Sequence, residues 1–204
     1  MNKILSISAI ALGMTLAVAM PASAQSLFDG GYVGAAGNYA IQNWDVGAAV
    51  GIGTVSVGGN GIAGEAFAGW GTSWDGFYVG VEGVAQYGDI NITASDNAGN
   101  MFKLQRDGSV GINARAGYLP NDNTLLFVTG GIATNHYTAT ATSGGTSVSS
   151  EDWGTSYKVG AGVDTFITEN VFTRVSYDVD FIDKGFIPGD FRTSTIKAGL
   201  GFRF

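Results

Sequence analysis

Charged side chains occur at alternate positions inside several otherwise apolar stretches of the sequence. In residues 171–181, Arg174, Asp178 and Asp180 occupy one set of alternate positions, and mainly valine, tyrosine and phenylalanine occupy the other. Successive side chains of a β-strand point to opposite faces, so the charges share one face and the apolar residues share the other. The same spacing assigns ten charged residues to one face of the predicted sheet: Glu65, Glu82, Arg115, Lys158, Asp164, Arg174, Asp178, Asp180, Lys197 and Arg203.

Acids and bases are equally numerous in this set, and two arrangements suit them. Buried charges persist in proteins when they are paired, so an ion-pair network is the first prediction. The alternative is a narrow path for solutes or ions along the same charges, which requires gaps between the side chains. Glycines at neighbouring positions of the same face, such as Gly160 and Gly199, keep this alternative open.

The single histidine, His136, is the first residue to consider for catalysis near neutral pH. Thr138 is a weaker nucleophile candidate than a serine, and no acidic residue on the same strand would orient the imidazole. One histidine and no cysteine do not make a transition-metal site. Residues 96–100 lack the further carboxylates of a calcium loop, and residues 51–58 lack dinucleotide-binding glycine spacing. The sequence predicts no catalytic, metal-binding or cofactor-binding residue.

The elements that position the ten charges are eight alternating segments. They are residues 31–40, 62–71, 76–88, 108–118, 125–136, 155–165, 170–181 and 192–204. Each has about the 9–11 residues that a tilted strand needs to cross a bilayer. Long connections (41–61, 89–107, 137–154 and 182–191) alternate with short ones near 72–75, 120–123 and 168–169.

This rhythm is typical of an up-and-down barrel with short periplasmic turns and long outer loops. Alternation alone also fits a soluble β-sandwich, whose polar face meets water. The small residues on the charged face favour the barrel, because they leave room for long charged side chains in a narrow interior. The predicted fold is all-β: an eight-stranded antiparallel up-and-down transmembrane β-barrel with the charges inside and the apolar faces on lipid.

The amino end has the features of a secretory signal peptide. Lys3 precedes an uncharged run over residues 4–20, and Ala22 and Ala24 form an A-x-A cleavage site before Gln25. A membrane anchor is the alternative, because the run approaches spanning length. We expect residues 1–24 to be removed and residues 25–204 to form the barrel domain. The net charge of -7 and the lack of a basic run argue against nucleic-acid binding.

The predicted outer connections carry more acidic than basic residues. The basic residues there are Lys103, Arg106, Lys184 and Arg192, close to strand ends, where a base can pair with lipopolysaccharide phosphates or remain an ordinary solvated charge. Residues 139–150 are small and polar, as expected of a mobile surface loop. Such loops suit an adhesive or antigenic surface whose host ligand the sequence does not identify.

Four stretches resemble the small porin-family outer-membrane β-barrels of alphaproteobacteria, relatives of the OmpA-type barrel that include proteins like the outer membrane immunogenic protein. They are GGYVGAAGNY, TLLFVTGGIA, YKVGAGVDTFITENVFTRVSYDVDF and the closing TSTIKAGLGFRF. The resemblance implies a Gram-negative outer-membrane location. It also implies that Leu200, Phe202 and Phe204 form the signal read by the outer-membrane assembly machinery. Departures occur at Asp164 and Ser176, where relatives usually carry glutamate.

The predicted function is an envelope structural role, with narrow passive diffusion if the interior has gaps. A surface adhesin or antigen acting through the outer loops is the alternative, and a lipid-modifying enzyme using His136 is a weaker one. The expected partners are outer-membrane lipid, lipopolysaccharide, periplasmic chaperones and the assembly machinery. No enzymatic activity is expected.

Overall fold

Eight antiparallel strands close into one barrel. The computed structural model describes residues 26–46, 55–95, 101–143, 146–182 and 190–204. The strands are β1 (Gly30–Val46), β2 (Val55–Trp74), β3 (Phe77–Ser95), β4 (Met101–Asn121), β5 (Thr124–Ser143), β6 (Thr146–Phe166), β7 (Val171–Ile182) and β8 (Asp190–Arg203). Each strand pairs with its neighbours in sequence, and β8 pairs with β1 to close the barrel. The predicted eight-stranded antiparallel barrel is confirmed.

Short turns join the strands at one end of the barrel, which we call the turn end. Asp75 and Gly76 both have positive φ, 49° and 81°, as a type I′ turn requires. This turn lies later than the predicted residues 72–75, because Trp74 and Phe77 still pair across β2 and β3. The Asp-Gly pair is the stronger hairpin signal, and it determines where the chain reverses.

The strands extend further at the opposite end, which we call the hairpin end, than the sequence predicted. Much of the predicted loops 41–61, 89–107 and 137–154 is strand, and β5 and β6 pair as far as Ser143 and Thr146. Hydroxyl pairs join these two strands, with Thr140 Oγ1 3.1 Å from Ser149 Oγ and Thr142 Oγ1 2.9 Å from Ser147 Oγ. Threonine favours strands, and such cross-strand pairs stabilise them even where both faces are polar. Residues 139–143 and 146–150, which the sequence analysis placed in a loop, are therefore strand.

The two faces of the barrel are inverted relative to a soluble protein. Apolar side chains on the outer face are about half exposed or more, among them Val110, Ile112, Val128, Val159, Val175, Ile196 and Leu200. Charged and amide side chains are buried in the interior. A lipid-facing apolar surface around a polar interior is the pattern of a transmembrane barrel. The part of the chain described contains no helix long and apolar enough to span a membrane.

Aromatic side chains form a hydrophobic cluster inside the barrel, reaching to its turn end. The cluster includes Phe28, Tyr32, Phe67, Tyr78, Leu125, Phe127, Phe166 and Phe172. Phe28 precedes β1 and packs edge-on against Phe166, with ring centroids 4.9 Å apart. The interior therefore has an aromatic layer beside its charged groups.

Candidate functional site: the charged interior of the barrel

The structure places all ten predicted interior charges inside the barrel. Their exposed fractions range from 2% at Asp164 to 7% at Glu65. They are Glu65, Glu82, Arg115, Lys158, Asp164, Arg174, Asp178, Asp180, Lys197 and Arg203. Nine of them lie in three separate ion-paired groups, and Arg203 lies apart from all three.

Two arginines and two acids, which we call the inner quartet, share a compact set of ion pairs. Arg174 binds Asp164 in a bidentate manner, with Nε–Oδ1 2.8 Å and Nη2–Oδ2 2.9 Å. Its Nη1 also lies 2.6 Å from Glu82 Oε2. Arg115 donates to Asp164 at 2.8 Å and to Tyr32 Oη at 2.9 Å, and Tyr32 donates to Glu82 at 3.0 Å. Each acid of the quartet thus contacts both arginines.

Phenylalanine rings cover the guanidinium groups of the quartet. The Arg115 guanidinium lies 3.8 Å from the ring centroid of Phe127, and that of Arg174 lies 4.1 Å from Phe67. A cation over an aromatic face gains electrostatic stabilisation, more so where water is excluded. Gly162 provides space for the Phe127 ring, which a Cβ atom at that position would meet. At this level of the barrel, buried guanidinium groups and buried aromatic rings therefore lie against one another.

Two further sets of paired charges, which together we call the outer group, contain three acids and three bases. Lys197 Nζ lies 2.6 Å from Glu65 Oε2 and 2.7 Å from Asp178 Oδ2. Asp180 lies between two bases, 3.5 Å from Arg106 Nη1 and 3.9 Å from Lys158 Nζ. The members of the outer group are Glu65, Asp178, Asp180, Lys197, Lys158 and Arg106.

Arg106 is a correction to the sequence analysis, which placed it in an outer loop. The side chain is 4% exposed, pairs with Asp180 and donates to Gln86 Oε1 at 2.6 Å. The β4 registers shift at the bulge around Asp107, so Arg106 points inward although strict alternation from Ser109 would point it outward. A bulge leaves no clear signal in the alternation, and the residue was therefore missed.

Arg203 has aromatic neighbours instead of an acid. Its guanidinium lies 4.8 Å from the ring centroid of Tyr32, 5.8 Å from Phe28 and 5.9 Å from Tyr78. Among the described residues no carboxylate lies within ion-pair distance of it. The predicted balance of five acids and five bases thus becomes five acids and six bases once Arg106 is included, and the extra positive charge lies among aromatic rings.

The segment before β1 places Phe28 in the turn end of the lumen, which the sequence analysis did not predict. Phe28 is 1% exposed inside the barrel mouth. Asp29 holds the segment in place, because its Oδ1 accepts hydrogen bonds from the Ser73 amide at 2.5 Å and the Ser73 hydroxyl at 2.9 Å. A lone aromatic residue just before a strand was the only signal available.

His136 and Thr138 lie on the outer face of β5, towards the hairpin end. The expectation that His136 has no acid on its own strand holds, but neighbouring strands supply two. Its Nδ1 lies 3.6 Å from Asp107 Oδ2 and its Nε2 3.9 Å from Glu151 Oε2. Thr138 donates to Asp107 at 2.9 Å, so its hydroxyl is not bonded to the imidazole. This geometry lacks the nucleophile–base hydrogen bond of a triad.

Two residues of the predicted assembly signal lie on the outer face of β8, and Phe204 follows directly after the strand. Leu200, Phe202 and Phe204 are all about half exposed or more, and the Phe204 amide donates to the Gly31 carbonyl at 3.0 Å. The residues of the predicted cleavage site, Ala22, Ala24 and Gln25, fall outside the described part of the chain. Among the residues described, no group of three or more histidine or acidic side chains is arranged to hold a metal ion.

Comparisons with known proteins agree with this architecture. The family model for the outer membrane protein β-barrel domain matches residues 10–204. The structure is similar to Neisserial surface protein A, with 19% identity over 86% of this chain and 98% of that chain and a TM-score of 0.57. It is also similar to the attachment invasion locus protein Ail of Yersinia pestis, with 19% identity, 86% and 99% coverage and a TM-score of 0.54.

At this identity the two structures are evidence for the fold alone. No curated protein matches the sequence. The family model covers nearly the whole chain, including all eight strands and every interior charge described above. The chain therefore belongs to the family of outer membrane proteins with a β-barrel domain.

Proposed function

We propose that the protein is a structural barrel of the outer membrane, of the small porin-family type that its sequence resembles, with a lumen closed to solutes. The observation that carries the proposal is the inner quartet, whose two guanidinium groups are bonded to two carboxylates and covered by Phe67 and Phe127. An eight-stranded barrel is just wide enough for its side chains to fill. On this proposal, solutes do not diffuse through the lumen, which was the alternative that the sequence analysis left open.

We further propose that residues 1–24 direct export of the chain and are then removed. The remaining chain is inserted by the outer-membrane assembly machinery with the help of periplasmic chaperones. Its lipid-facing strands suit an integral location. Arg192 is exposed near the hairpin end of β8 and suits contact with lipopolysaccharide phosphates. No host ligand is assigned.

The proposed role is not enzymatic. His136 has acidic neighbours, but the Thr138 hydroxyl donates to Asp107 and does not reach the imidazole. A general base must lie within hydrogen-bond reach of the group that it activates. The arrangement of His136, Thr138 and Asp107 therefore supports a polar contact at the membrane interface in preference to a hydrolytic site.

A deletion strain of the source bacterium tests the structural role. Loss of the protein is expected to increase sensitivity to detergents, because a component of the outer-membrane barrier is removed. Wild-type protein should restore resistance, and so should a variant in which residues 139–150 are replaced by Asn-Gly. That replacement is matched to the register, because Thr138 pairs with Glu151 and a two-residue type I′ turn fits between them. Unchanged detergent resistance in the deletion strain would refute the proposal.

Surface attachment is a second candidate function. One observation favours it: β5 and β6 form a long hairpin whose described residues 146–151 are all exposed. The similar protein Ail is named as an attachment protein. If the hairpin binds a host surface, the Asn-Gly replacement should abolish binding of cells while the barrel still assembles. Binding that survives this replacement would remove the hairpin as the attachment site.

A further inference from the structure

Two adjoining cavities indent the outer, lipid-facing surface of the barrel, and we call them together the lateral groove. The first, of about 540 Å³, has exposed residues of β2, β3, β4 and β6 in its lining, namely Gly64, Ala66, Ala85, Tyr87, Val110 and Trp153. The second, of about 590 Å³, shares Gly64 and Tyr87 with the first and continues to Gly37 and Ala198. The exposed lining is therefore mainly apolar and spans much of one side of the barrel.

The floor of the lateral groove has two glycines that no contact within the described chain requires. Gly37 pairs with Gly64 across β1 and β2. A Cβ atom at Gly37 would meet nothing within 4 Å, and one at Gly64 would meet only a carbonyl oxygen at 3.9 Å. Beside them, Ile196, Tyr39 and Ile62 pair in a row of large exposed side chains that forms a wall. Glycine weakens a strand and often marks a position that a ligand approaches closely.

The lateral groove runs obliquely through the bilayer. Cross-strand pairs connect it in one row, in the order Trp153, His136, Gly108, Tyr87, Gly64, Gly37 and Ala198. Trp153 lies far from Phe166 at the turn end of β6, whereas Ala198 lies close to Arg203 at the turn end of β8. Strands of such barrels are tilted, so a row across them changes depth. The groove thus descends from the membrane interface at the hairpin end into the hydrocarbon region.

The upper end of the lateral groove is polar and acidic. The rings of Trp153 and His136 meet there edge to face, with centroids 5.0 Å apart. Asp107 and Glu151 flank the imidazole, and their side chains are 31% and 70% exposed. Among the described residues, no lysine or arginine lies within ion-pair distance of either carboxylate. A cationic group that reaches this end of the groove would form charge-assisted hydrogen bonds with both acids.

An apolar channel with acids at one end has the polarity of an amphiphile with a cationic head. A second barrel docked on the groove would bring apolar surface and no charge to Asp107 and Glu151. A metal ion is not favoured, because among the residues described no three histidine or acidic side chains are arranged to hold one. An ammonium group suits the two carboxylates, and an acyl chain suits the glycine floor.

We propose that the lateral groove binds a membrane lipid whose head group carries an ammonium. The ammonium lies at Asp107 and Glu151, and an acyl chain lies over Gly64 and Gly37. The apolar lining fixes the tail, and the acids select the head group. The site is on the outer face of the barrel, so the inference is independent of whether the lumen is closed.

Native mass spectrometry of the protein in detergent micelles tests the head-group preference. The protein is incubated with equal amounts of phosphatidylethanolamine and phosphatidylglycerol that have the same acyl chains, and the retained lipid is counted. We expect several-fold more phosphatidylethanolamine, because only this lipid has an ammonium. The double variant Asp107→Asn, Glu151→Gln should lose the preference. Equal retention by the wild-type protein, or a preference that persists in the double variant, would overturn the proposal.

A matched pair of glycine substitutions tests the position of the tail. Gly64→Leu fills the floor of the groove and should retain less lipid. Gly130→Leu is the control, because Gly130 is exposed on the outer face of β5 outside both cavities and a Cβ atom there would also meet nothing within 4 Å. Circular dichroism should show the same β-barrel for both variants, since both leucines face lipid.

Three results of these experiments would overturn the proposal. Unchanged retention in Gly64→Leu, or an equal loss in Gly130→Leu, would mean that the groove does not hold the tail. Wild-type dimers that disappear in Gly64→Leu would assign the groove to a second copy of the chain. Retention of phosphatidylglycerol that requires added Mg²⁺ and matches that of phosphatidylethanolamine would assign the two acids to a bridging cation.

Discussion

Each arginine of the inner quartet has a carboxylate at its edge and a phenylalanine ring against its face. This combination suits arginine in particular, because the planar guanidinium group donates from its edge and stacks through its face. Lysine would provide a point charge without the bidentate geometry or the stacking. The quartet is therefore both an electrostatic unit and a packing unit of the lumen.

Replacing one arginine of the quartet should be costly. Arg174→Ala removes three hydrogen bonds and leaves Asp164 and Glu82 with Arg115 alone. Breaking a buried pair leaves an uncompensated charge, so we expect a loss of about 3–5 kcal/mol in the free energy of unfolding. Urea unfolding of the protein in lipid vesicles measures this loss.

Arg192→Ala is the matched control for that experiment. Arg192 is exposed on the outer face of β8, and its guanidinium lies 5.4 Å from the ring centroid of Phe181. Its loss should change the stability by about 0.5 kcal/mol or less. Equal effects of the two substitutions would contradict the role assigned to the quartet.

At the residue scale, the sequence was sufficient to decide which faces carry the charges and insufficient to pair them. The period of two places Arg115 and Asp164 inside, but their contact joins residues 49 positions apart in the chain. That contact depends on the stagger of eight strands, which no local pattern contains. Arg106 shows that the face assignment can also fail. A single bulge shifts the alternation of inward and outward side chains by one residue.

At the scale of a strand, β7 shows the division between lipid and lumen most clearly. Arg174, Ser176, Asp178 and Asp180 are buried, whereas Val175 and Tyr177 between them are about half exposed. The buried members face the ion pairs, and the exposed members face the bilayer. A charged residue on the lipid-facing side of β7 should therefore lower the free energy of unfolding, by an amount that depends on its depth in the membrane.

Val175→Lys tests this assignment. A lysine on the lipid face near the membrane midplane should cost about 2–4 kcal/mol in the free energy of unfolding. Phe181→Lys, on the same face of β7 but nearer the hairpin end, should cost about 0–1 kcal/mol. Both are measured by denaturant unfolding in vesicles. A harmless Val175→Lys, or equal penalties at both sites, would mean that the face or the depth of β7 is wrong.

The ends of the elements were harder to predict than their centres. The central segments were recognised because one face is apolar and the other polar. Beyond the bilayer both faces of a strand meet water, so the alternation disappears while the pairing continues, as between Thr142 and Ser147. The segment with Phe28 was missed for a related reason: it fills the barrel mouth with a single side chain and has no period to detect.

At the scale of the whole molecule, the pairing of β8 with β1 turns an open sheet into a barrel. Tyr32 pairs with Arg203 and Val33 with Phe202, so the last strand closes the structure at the turn end. An open sheet has unpaired edges that the hydrocarbon region does not tolerate. The pairing of β8 with β1 is therefore what leaves the sheet without an exposed edge.

Phe204→Ala tests the predicted assembly signal. Phe204 is 72% exposed on the outer face, so the substitution removes little packing inside the barrel. We expect less protein inserted into the outer membrane of cells and an unchanged circular dichroism spectrum of protein refolded in detergent. Equal insertion of mutant and wild-type protein would show that the signal lies elsewhere. A loss of refolding in detergent would show a structural role for Phe204 instead.

Single-channel conductance of the refolded protein in a planar bilayer measures whether the inner quartet closes the lumen. Wild-type protein should be silent, because charges and rings fill the lumen where Arg174 meets Phe67. The variant Phe67→Ala, which uncovers Arg174, should open brief conducting events. A stable conductance from the wild-type protein would mean that the interior is a pore and that the inner quartet does not close it.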